Sequence, residues 1–298
     1  MSSMRTILVL LNYNNYSDTI SFVKRMKRYD ELYRIIIVDN ASVNNSFSVL
    51  KSSLSNVKKV DVVESEVNGG YARGNNYGIK YALSRYEFQN IIIANPDVSI
   101  SGDSLLDLIK RKEKLDELNG CRTGIVAPTM INKSNGRKSS GWKLPRYVDD
   151  VRSNLMIISK LFKNPLHEDH TDTLLKNTKS IDVVSGAFFL IDKDAMVDVD
   201  FFDERTFLYC EERILSFKLK KEGYLNFVFS DCFFYHQSST TIRASINEIN
   251  AFKELNKSKK IYHKYYLKTS SLQDKIFQLT AFIGILERKV YFYLKAIG

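Results

Sequence analysis

The chain has 298 residues, enough for one large domain or two small ones, and its 44% hydrophobic and 26% charged residues are ordinary for a globular protein, which excludes disorder and fibrous repeats. With 44 Lys and Arg against 34 Asp and Glu the net charge is +10, favouring anionic partners: nucleotides, nucleic acid or an acidic membrane surface. Cys121, Cys210 and Cys232 are odd in number and widely spaced, so neither a disulfide framework nor a zinc site is expected and a reducing cytoplasm fits best. The apolar run Thr6 to Leu11 is too short for a signal peptide, and no stretch is apolar enough for a transmembrane helix.

The first hundred or so residues alternate short apolar runs with helix-like segments, the pattern of parallel βαβ units. Strands are predicted over Thr6 to Asn12, Arg34 to Asp39, Val60 to Glu64 and Asn90 to Asn95. Helices are predicted over Ser17 to Tyr29, capped by Ser17, over Gly70 to Arg85, and over Ser104 to Leu118, opened by Asp103 or Ser104. Polar residues fall at the strand ends, at Asn12, Asp39-Asn40, Asn68 and Asn95-Pro96-Asp97, where open α/β sheets bind ligands. Beyond them, strands are expected at Gly124 to Pro128 and Ile181 to Ile191, with a loop-and-helix excursion over 142 to 180 suited to a lid or acceptor site. A helix follows over Glu211 to Glu222, then paired short strands over Leu225 to His236.

The basicity belongs to the tail: residues 243 to 298 hold 11 Lys or Arg and 4 acids, +7 of the total +10. There Ile261 to Leu267 and Ile276 to Leu294 interleave aromatics with cations, the second stretch broken by Glu287-Arg288-Lys289. That pattern suits a helix lying in a lipid headgroup layer, or a helical pair that packs its apolar face on the main domain and leaves its lysines solvated. A nucleic-acid partner is not expected, because the charge sits in the tail without a recognisable binding module.

Three motifs could carry chemistry. In the run Asn68-Gly69-Gly70-Tyr71-Ala72-Arg73-Gly74-Asn75-Asn76-Tyr77-Gly78-Ile79, glycines and a helix N-terminus would let the backbone approach a phosphate, or would only make a tight strand-to-helix turn. It is neither a Walker loop nor a dinucleotide fingerprint. Asp97, after the strand Asn90 to Ala94, suits a divalent cation whose other ligands come from substrate phosphates, or else belongs to a turn. The run Phe201 to Glu212 brings aromatics and then Glu211-Glu212 to a helix N-terminus, where acids either complement the dipole or sit in a partly dry cleft with a pKa raised toward the general-base range. His236, after a strand, is a lone histidine.

Taken in order, Asn12-Tyr13-Asn14, Val38-Asp39-Asn40-Ala41-Ser42, the glycine-rich run, Asn95-Pro96-Asp97-Val98, Ser185-Gly186-Ala187-Phe188-Phe189-Leu190, Phe202-Asp203-Glu204, Tyr209 to Glu212 and His236 resemble the inverting family-2 glycosyltransferases, most of all their bacterial rhamnosyltransferase-like branch. The resemblance covers residues 5 to 240. It implies an α/β GT-A fold, with a Rossmann-like nucleotide-binding half and mixed central sheet (1–98) fused to an acceptor-binding half (99–240); the basic aromatic helical tail (241–298) lies beyond it, and its own pattern suits contact with a membrane surface or a second copy.

It also implies roles. Asp39 matches the acid that reads the pyrimidine of a dTDP- or UDP-sugar; Asn68, Gly70 and Arg73 match the segment lining nucleotide and diphosphate, with Asn12, Tyr13 and Asn95 beside them at strand ends. Asp97 matches the last acid of a D-x-D-like motif for Mn²⁺ or Mg²⁺, with His236 as second ligand, and Ser185 and Gly186 floor the acceptor and donor-sugar cleft. The family's base is the Asp of an E-D pair; here the pair is Glu211-Glu212, so Glu212 is the expected base and Glu211 the alternative, and the acid two residues further on is replaced by Ile214. The implied reaction moves a sugar, rhamnose by the branch resemblance, to a lipid-linked oligosaccharide of a bacterial surface polysaccharide, capsule or O-antigen, at the inner face of the cytoplasmic membrane. The departure from E-D leaves a second reading, a nucleotide-sugar-binding partner of an assembly complex without transfer activity.

Overall fold

The computed structural model describes residues 5–118, 122–139, 141–161, 171–172, 175–237 and 248–297. Cys121, Pro165, Ser238-Ser239 and Arg243 lie outside the described residues.

In chain order the N-terminal elements are β1 (Thr6–Asn12), α1 (Tyr16–Met26), β2 (Leu32–Asp39), α2 (Ser46–Leu54), β3 (Val60–Glu64), α3 (Gly70–Leu83), β4 (Asn90–Ala94), β5 (Val98–Ile100) and α4 (Gly102–Glu117). Then follow β6 (Arg122–Asn132), β7 (Lys138–Ser139), α5 (Tyr147–Asn154), α6 (Met156–Leu161), β8 (Thr171–Asp172), β9 (Thr178–Ile181), β10 (Phe188–Asp192), α7 (Lys193–Asp198), α8 (Glu211–Lys221) and β11 (Tyr224–His236). The tail forms α9 (Glu248–Tyr262), a π-helical turn His263–Leu267, and α10 (Ser271–Ile297).

Alternation within the strands explains the layers. In β1 and β2, Leu8, Leu10, Ile35 and Ile37 face one core with Phe22 of α1, Leu50 of α2 and Leu105 of α4. Ile7, Val9, Ile36 and Val38 face the other with Ile79 of α3, Met196 of α7 and Leu215 of α8. A sheet apolar on both faces needs helices on both, and the parallel βα connections supply them. The sheet runs β3-β2-β1-β4-β10-β6-β11-β9-β8, with β5 on β11 and β7 on β6. Strands β1 to β4 are parallel, whereas β10 is antiparallel to both β4 and β6.

This mixed order gathers the chemistry at one edge. The parallel strands β1, β2 and β4 end there with Asn12, Asp39 and Asn95; the antiparallel β10 begins there, just after Ser185 and Gly186. Strand β11, parallel to β6, also ends at that edge with His236, so α8, which precedes it, presents its N-terminal Glu211-Glu212 to the same edge.

Several predicted elements differ in detail. The cap of α1 is Asn15, whose side chain accepts from Asp18 N, and that of α4 is Ser101, which accepts from Ser104 N, so each helix starts two or three residues earlier than expected. The expected strand Ile181 to Ile191 is two strands. Asp182 leaves the ladder to accept from Leu144 N and Lys220, and Val183 bridges to Trp142, which frees Ser185-Gly186 to form a turn at the site edge. The expected pair of strands over Leu225 to His236 is one long strand with a bulge between Phe229 and Phe233. Glu287-Arg288-Lys289 does not interrupt α10: Glu287 accepts from Met156 N and Arg288 donates to Asn154 O, so both serve the face packed on α5 and α6. The reading of the tail as a helical pair with solvated lysines does not hold at Lys259, which is buried.

Candidate active site

At the β1 and β2 ends, Asn12 and Asp39 are register partners. Asp39 is fully buried; one carboxylate oxygen accepts from Asn12 Nδ2 at 2.9 Å and the other from Ser42 N at 2.8 Å. Its first duty is therefore to shape the loop after β2, where Ala41 is held at φ 53°. Tyr13 stands exposed beside it.

The glycine-rich run does more than one job. Asn40, placed at a strand end but given no role of its own in the sequence, donates to Asn68 Oδ1 (2.9 Å) and Gly70 O (3.2 Å), and Asn68 accepts in turn from Gly70 N, so the turn into α3 is tied to the end of β2. Gly70 has φ +81°, and a Cβ there would lie 2.0 Å from Phe207 O, which accepts from Tyr71 N. Gly74 and Gly78 serve close packing of helix on sheet, since Cβ atoms would strike Leu11 and Val9. Arg73 is exposed, its stem lying across Gly69.

The same turn carries a residue not singled out from the sequence. Tyr71 OH donates to Gly186 O at 2.6 Å. A Cβ on Gly186 would be 3.6 Å from Tyr71 OH and 3.7 Å from Glu212 Oε2, so Tyr71, the Ser185-Gly186 turn and Glu212 converge. Burial, then the Glu212 and Glu211 charges, push the Tyr71 phenol well above its ordinary pKa, leaving it a proton donor. Ser185 Oγ accepts from Ala187 N, closing the turn, and Asn95 N donates to Ala187 O across to β4.

Helix α8 starts under strain. Tyr209 (φ 74°) and Cys210 (φ 68°) are consecutive non-glycine residues in the left-handed region, at about 1–3 kcal/mol each. Tyr71 N on Phe207 O and Ser258 Oγ on Leu208 O at 2.7 Å hold them there. The result delivers two adjacent carboxylates to the sheet edge that also carries Asn12, Asp39 and Ser185-Gly186. Glu211 is buried and its Oε1 has no hydrogen-bond partner; burial and then the Glu212 charge push its pKa up to about 8. Glu212 is half-buried, and burial raises its pKa as well. The pair holds a proton at neutral pH that isolated glutamates would have lost.

On the other side of the edge, pairing of β5 with β11 sets His236 against Val98 and brings His236 Nε2 within 3.2 Å of Asp97 Oδ2. His236 Nε2 is buried and makes no well-aligned hydrogen bond, its near neighbour being that carboxylate; an imidazole nitrogen beside a carboxylate is a donor pair that fits Mn²⁺ or Mg²⁺. Among the described residues no group of three His, Cys, Asp or Glu side chains forms a complete cation site, so this pair would need ligands from a substrate.

Behind α8 lies a second missed constellation. Asp150 on α5, buried, takes Arg213 Nη1 at 2.7 Å, His263 Nε2 at 2.9 Å and Lys259 Nζ at 3.4 Å. Arg213 follows Glu212 directly, while Lys259 and His263 come from the tail. Only their scattered charges show in the sequence, where nothing signals that they meet.

The architecture is that of the GT-A glycosyltransferases: the fold resembles the mannosyltransferase PcManGT of Pyrobaculum calidifontis, solved with GDP-Man and Mn²⁺, with a TM-score of 0.57 at 12% identity over 95% of this chain and 70% of that one. Residues 8–196 match the family described as Glycosyl transferase family 2, and the chain belongs to that family. It is 24% identical to rhamnosyltransferase WbbL of Escherichia coli K12 over 73% of this chain and 78% of that protein. It is 21% identical to the low-salt glycan biosynthesis hexosyltransferase Agl10 of Haloferax volcanii over 72% of this chain, spanning 62% of Agl10.

Proposed function

We propose that this glycosyltransferase is metal-dependent and inverting, and moves a hexosyl-type sugar, rhamnose by its likeness to WbbL, from a pyrimidine nucleoside diphosphate to a lipid-linked saccharide in bacterial surface-polysaccharide synthesis, capsule or O-antigen. The observation that carries it is the meeting of Glu212, Tyr71 and Gly186 at the sheet edge that also bears Asp97 and His236. In this reading residues 1–98 hold the donor, residues 99–240 add the acceptor side, and the tail from 241 works at the inner face of the membrane.

Asn12, Tyr13 and Asp39 form the base end of the cleft, and Asn68, Gly70, Arg73 and Asn95 line the sugar-diphosphate. Asp97 and His236 would hold a Mn²⁺ or Mg²⁺ ion, which supplies charge neutralisation of the departing diphosphate when bound. Glu212 Oε2 accepts the proton of the acceptor hydroxyl as its oxygen attacks the anomeric carbon from the side opposite the leaving nucleoside diphosphate; the C–O bond to phosphate breaks and the configuration inverts. The Ser185-Gly186 turn, fixed by Tyr71, floors that approach. Glu211, with its raised pKa, stays protonated near neutral pH and leaves the negative charge to Glu212.

The test is thermal stabilisation by UDP-, dTDP- and GDP-sugars with and without Mn²⁺, in wild type and Asp97→Ala. One pyrimidine nucleotide should raise Tm only with metal, and Asp97→Ala should abolish the rise. Stabilisation without turnover on any lipid-linked acceptor would favour a nucleotide-sugar-binding partner instead.

A further inference from the structure

Helix α10 has two faces. Phe277 and Gly284 are buried, and with Thr280, Glu287 and Arg288 they face the body, Gly284 so tightly that a Cβ would strike Asn154 O. The opposite arc is exposed and apolar: Leu272, Leu279, Phe282, Leu286, Val290 and Tyr293 are each 44 to 68% accessible. With Ile276, Ile283 and Leu294, also exposed, the arc is about 120° wide at 3.6 residues per turn, and from Leu272 to Leu294 it runs roughly 34 Å. Its exposed polar members are Ser271, Lys275, Gln278 and Lys289, with no acid; the acids of the helix, Asp274 and Glu287, lie off it. Among the described residues no helix is long and apolar enough to cross a membrane, α10 included.

We propose that this arc of α10 lies in the headgroup layer of an anionic bilayer, its leucines and aromatics in the acyl boundary and Lys275 and Lys289 among the lipid phosphates. The charge of the arc selects this occupant over a second copy. Ile276, Ile283 and Val290 with Leu272, Leu279 and Leu286 do fall at heptad a and d positions, which would suit a parallel pair. But the flanking Lys275, Phe282 and Lys289 would then face Thr280, Glu287 and Leu294, giving no complementary charge pair, and Glu287 already bonds Met156 N within the chain. The exposed arc is also wider than an a/d seam, as an interfacial helix requires and a coiled coil does not.

The rest of the fold gives this docking a use. Helix α10 is fixed to α5 by Tyr147 OH on Gln273 O and by Arg288 on Asn154 O, and α5 carries Asp150, which holds Arg213, the neighbour of Glu212. A helix seated on lipid would hold the candidate base at a set height for an acceptor anchored in that lipid; for this purpose, though not for binding itself, the inference rests on the transferase reading.

The full-length protein should be sedimented with vesicles of phosphatidylcholine alone and with a quarter phosphatidylglycerol, at low and high ionic strength. Binding is expected on the anionic vesicles only and should weaken with salt. Lys275→Gln with Lys289→Gln should weaken it roughly thirtyfold, at about 1 kcal/mol per cation. Leu279→Asp with Leu286→Asp should weaken it more than tenfold, with Tm and nucleotide-sugar-induced stabilisation unchanged. No binding, or equal binding to neutral vesicles, overturns the proposal; so does a dimer in solution that the aspartate pair converts to monomer while vesicle binding stays the same. The assay needs no donor, so its failure and a failure of the nucleotide-sugar test are separate results.

Discussion

Adjacent residues of α8 meet two sets of carboxylates that behave in opposite ways: Glu211 and Glu212 belong to the helix itself, and Asp150 of α5 pairs with the next residue, Arg213. Burial raises the pKa values of both Glu211 and Glu212, and the Glu212 charge adds to the rise of Glu211. Asp150 is just as buried, yet although burial opposes it, Arg213, His263 and Lys259 hold its carboxyl well below the usual range. Burial is common to both; the partners decide the sign. Arg213, the residue after the two acids, pairs with Asp150 at 2.7 Å; its charge also lowers the Glu212 pKa, but by less than burial raises it.

The largest expected effect falls on the unpaired cluster. Glu212→Gln should lower kcat by about 10²–10⁴-fold, the usual worth of a general base, while nucleotide-sugar-induced stabilisation persists. Glu211→Gln should retain most turnover; if instead Glu211→Gln is the inactive variant, the roles are reversed. Because the pair carries raised pKa values, wild-type kcat should climb with pH through the neutral range, and removing the Glu211 carboxyl should move that limb to lower pH.

Next in size is the paired cluster. Asp150→Ala leaves Arg213 and Lys259 buried without a counter-charge and should cost about 3–5 kcal/mol in urea unfolding. Arg213→Met together with Asp150→Leu should cost much less, because the desolvation of both partners goes with them.

Stability against pH separates the two clusters more finely. A carboxyl whose folded pKa is raised binds its proton more tightly when folded, so the stability owed to Glu211 is complete below its unfolded value of 4.5 and is lost as pH rises through about 8. Asp150 has the opposite sign: its contribution is present above the unfolded value of 3.8 and is lost as pH falls below it. Glu211→Gln should therefore raise Tm above pH 8 and change it little near pH 5, measured by differential scanning fluorimetry across that span.

The same contrast explains what the sequence made legible. Local periodicity and strand-end polar residues located β1 to β4, the glycine-rich turn and the acids of α8, because those signals lie within a few residues of one another. The motif order carried the fold class. Missing were contacts made across long separations: Tyr71 on Gly186, Lys259 and His263 on Asp150, and the break of Ile181 to Ile191 into two strands. The aromatic-cationic pattern of the tail showed an amphipathic helix but not that α10 keeps an outward apolar arc while α9 buries Lys259.

A third carboxylate sharpens the comparison at the smallest scale. Asp203 lies between the two cases: buried, but paired with the partly exposed Arg205 at 2.8 Å and bonded by Tyr266 OH, from the turn after α9, at 2.6 Å. Burial works against it, yet the Arg205 and Tyr266 hydrogen bonds lower its pKa. Tyr266→Phe removes one donor and leaves the guanidinium, so it should cost about 1 kcal/mol in urea unfolding, the net worth of one hydrogen bond, far less than Asp150→Ala. A loss as large as that of Asp150→Ala would mean that Arg205, open to solvent, contributes little to holding the charge, and that the tail anchors the Phe202–Asp203 loop through Tyr266 alone.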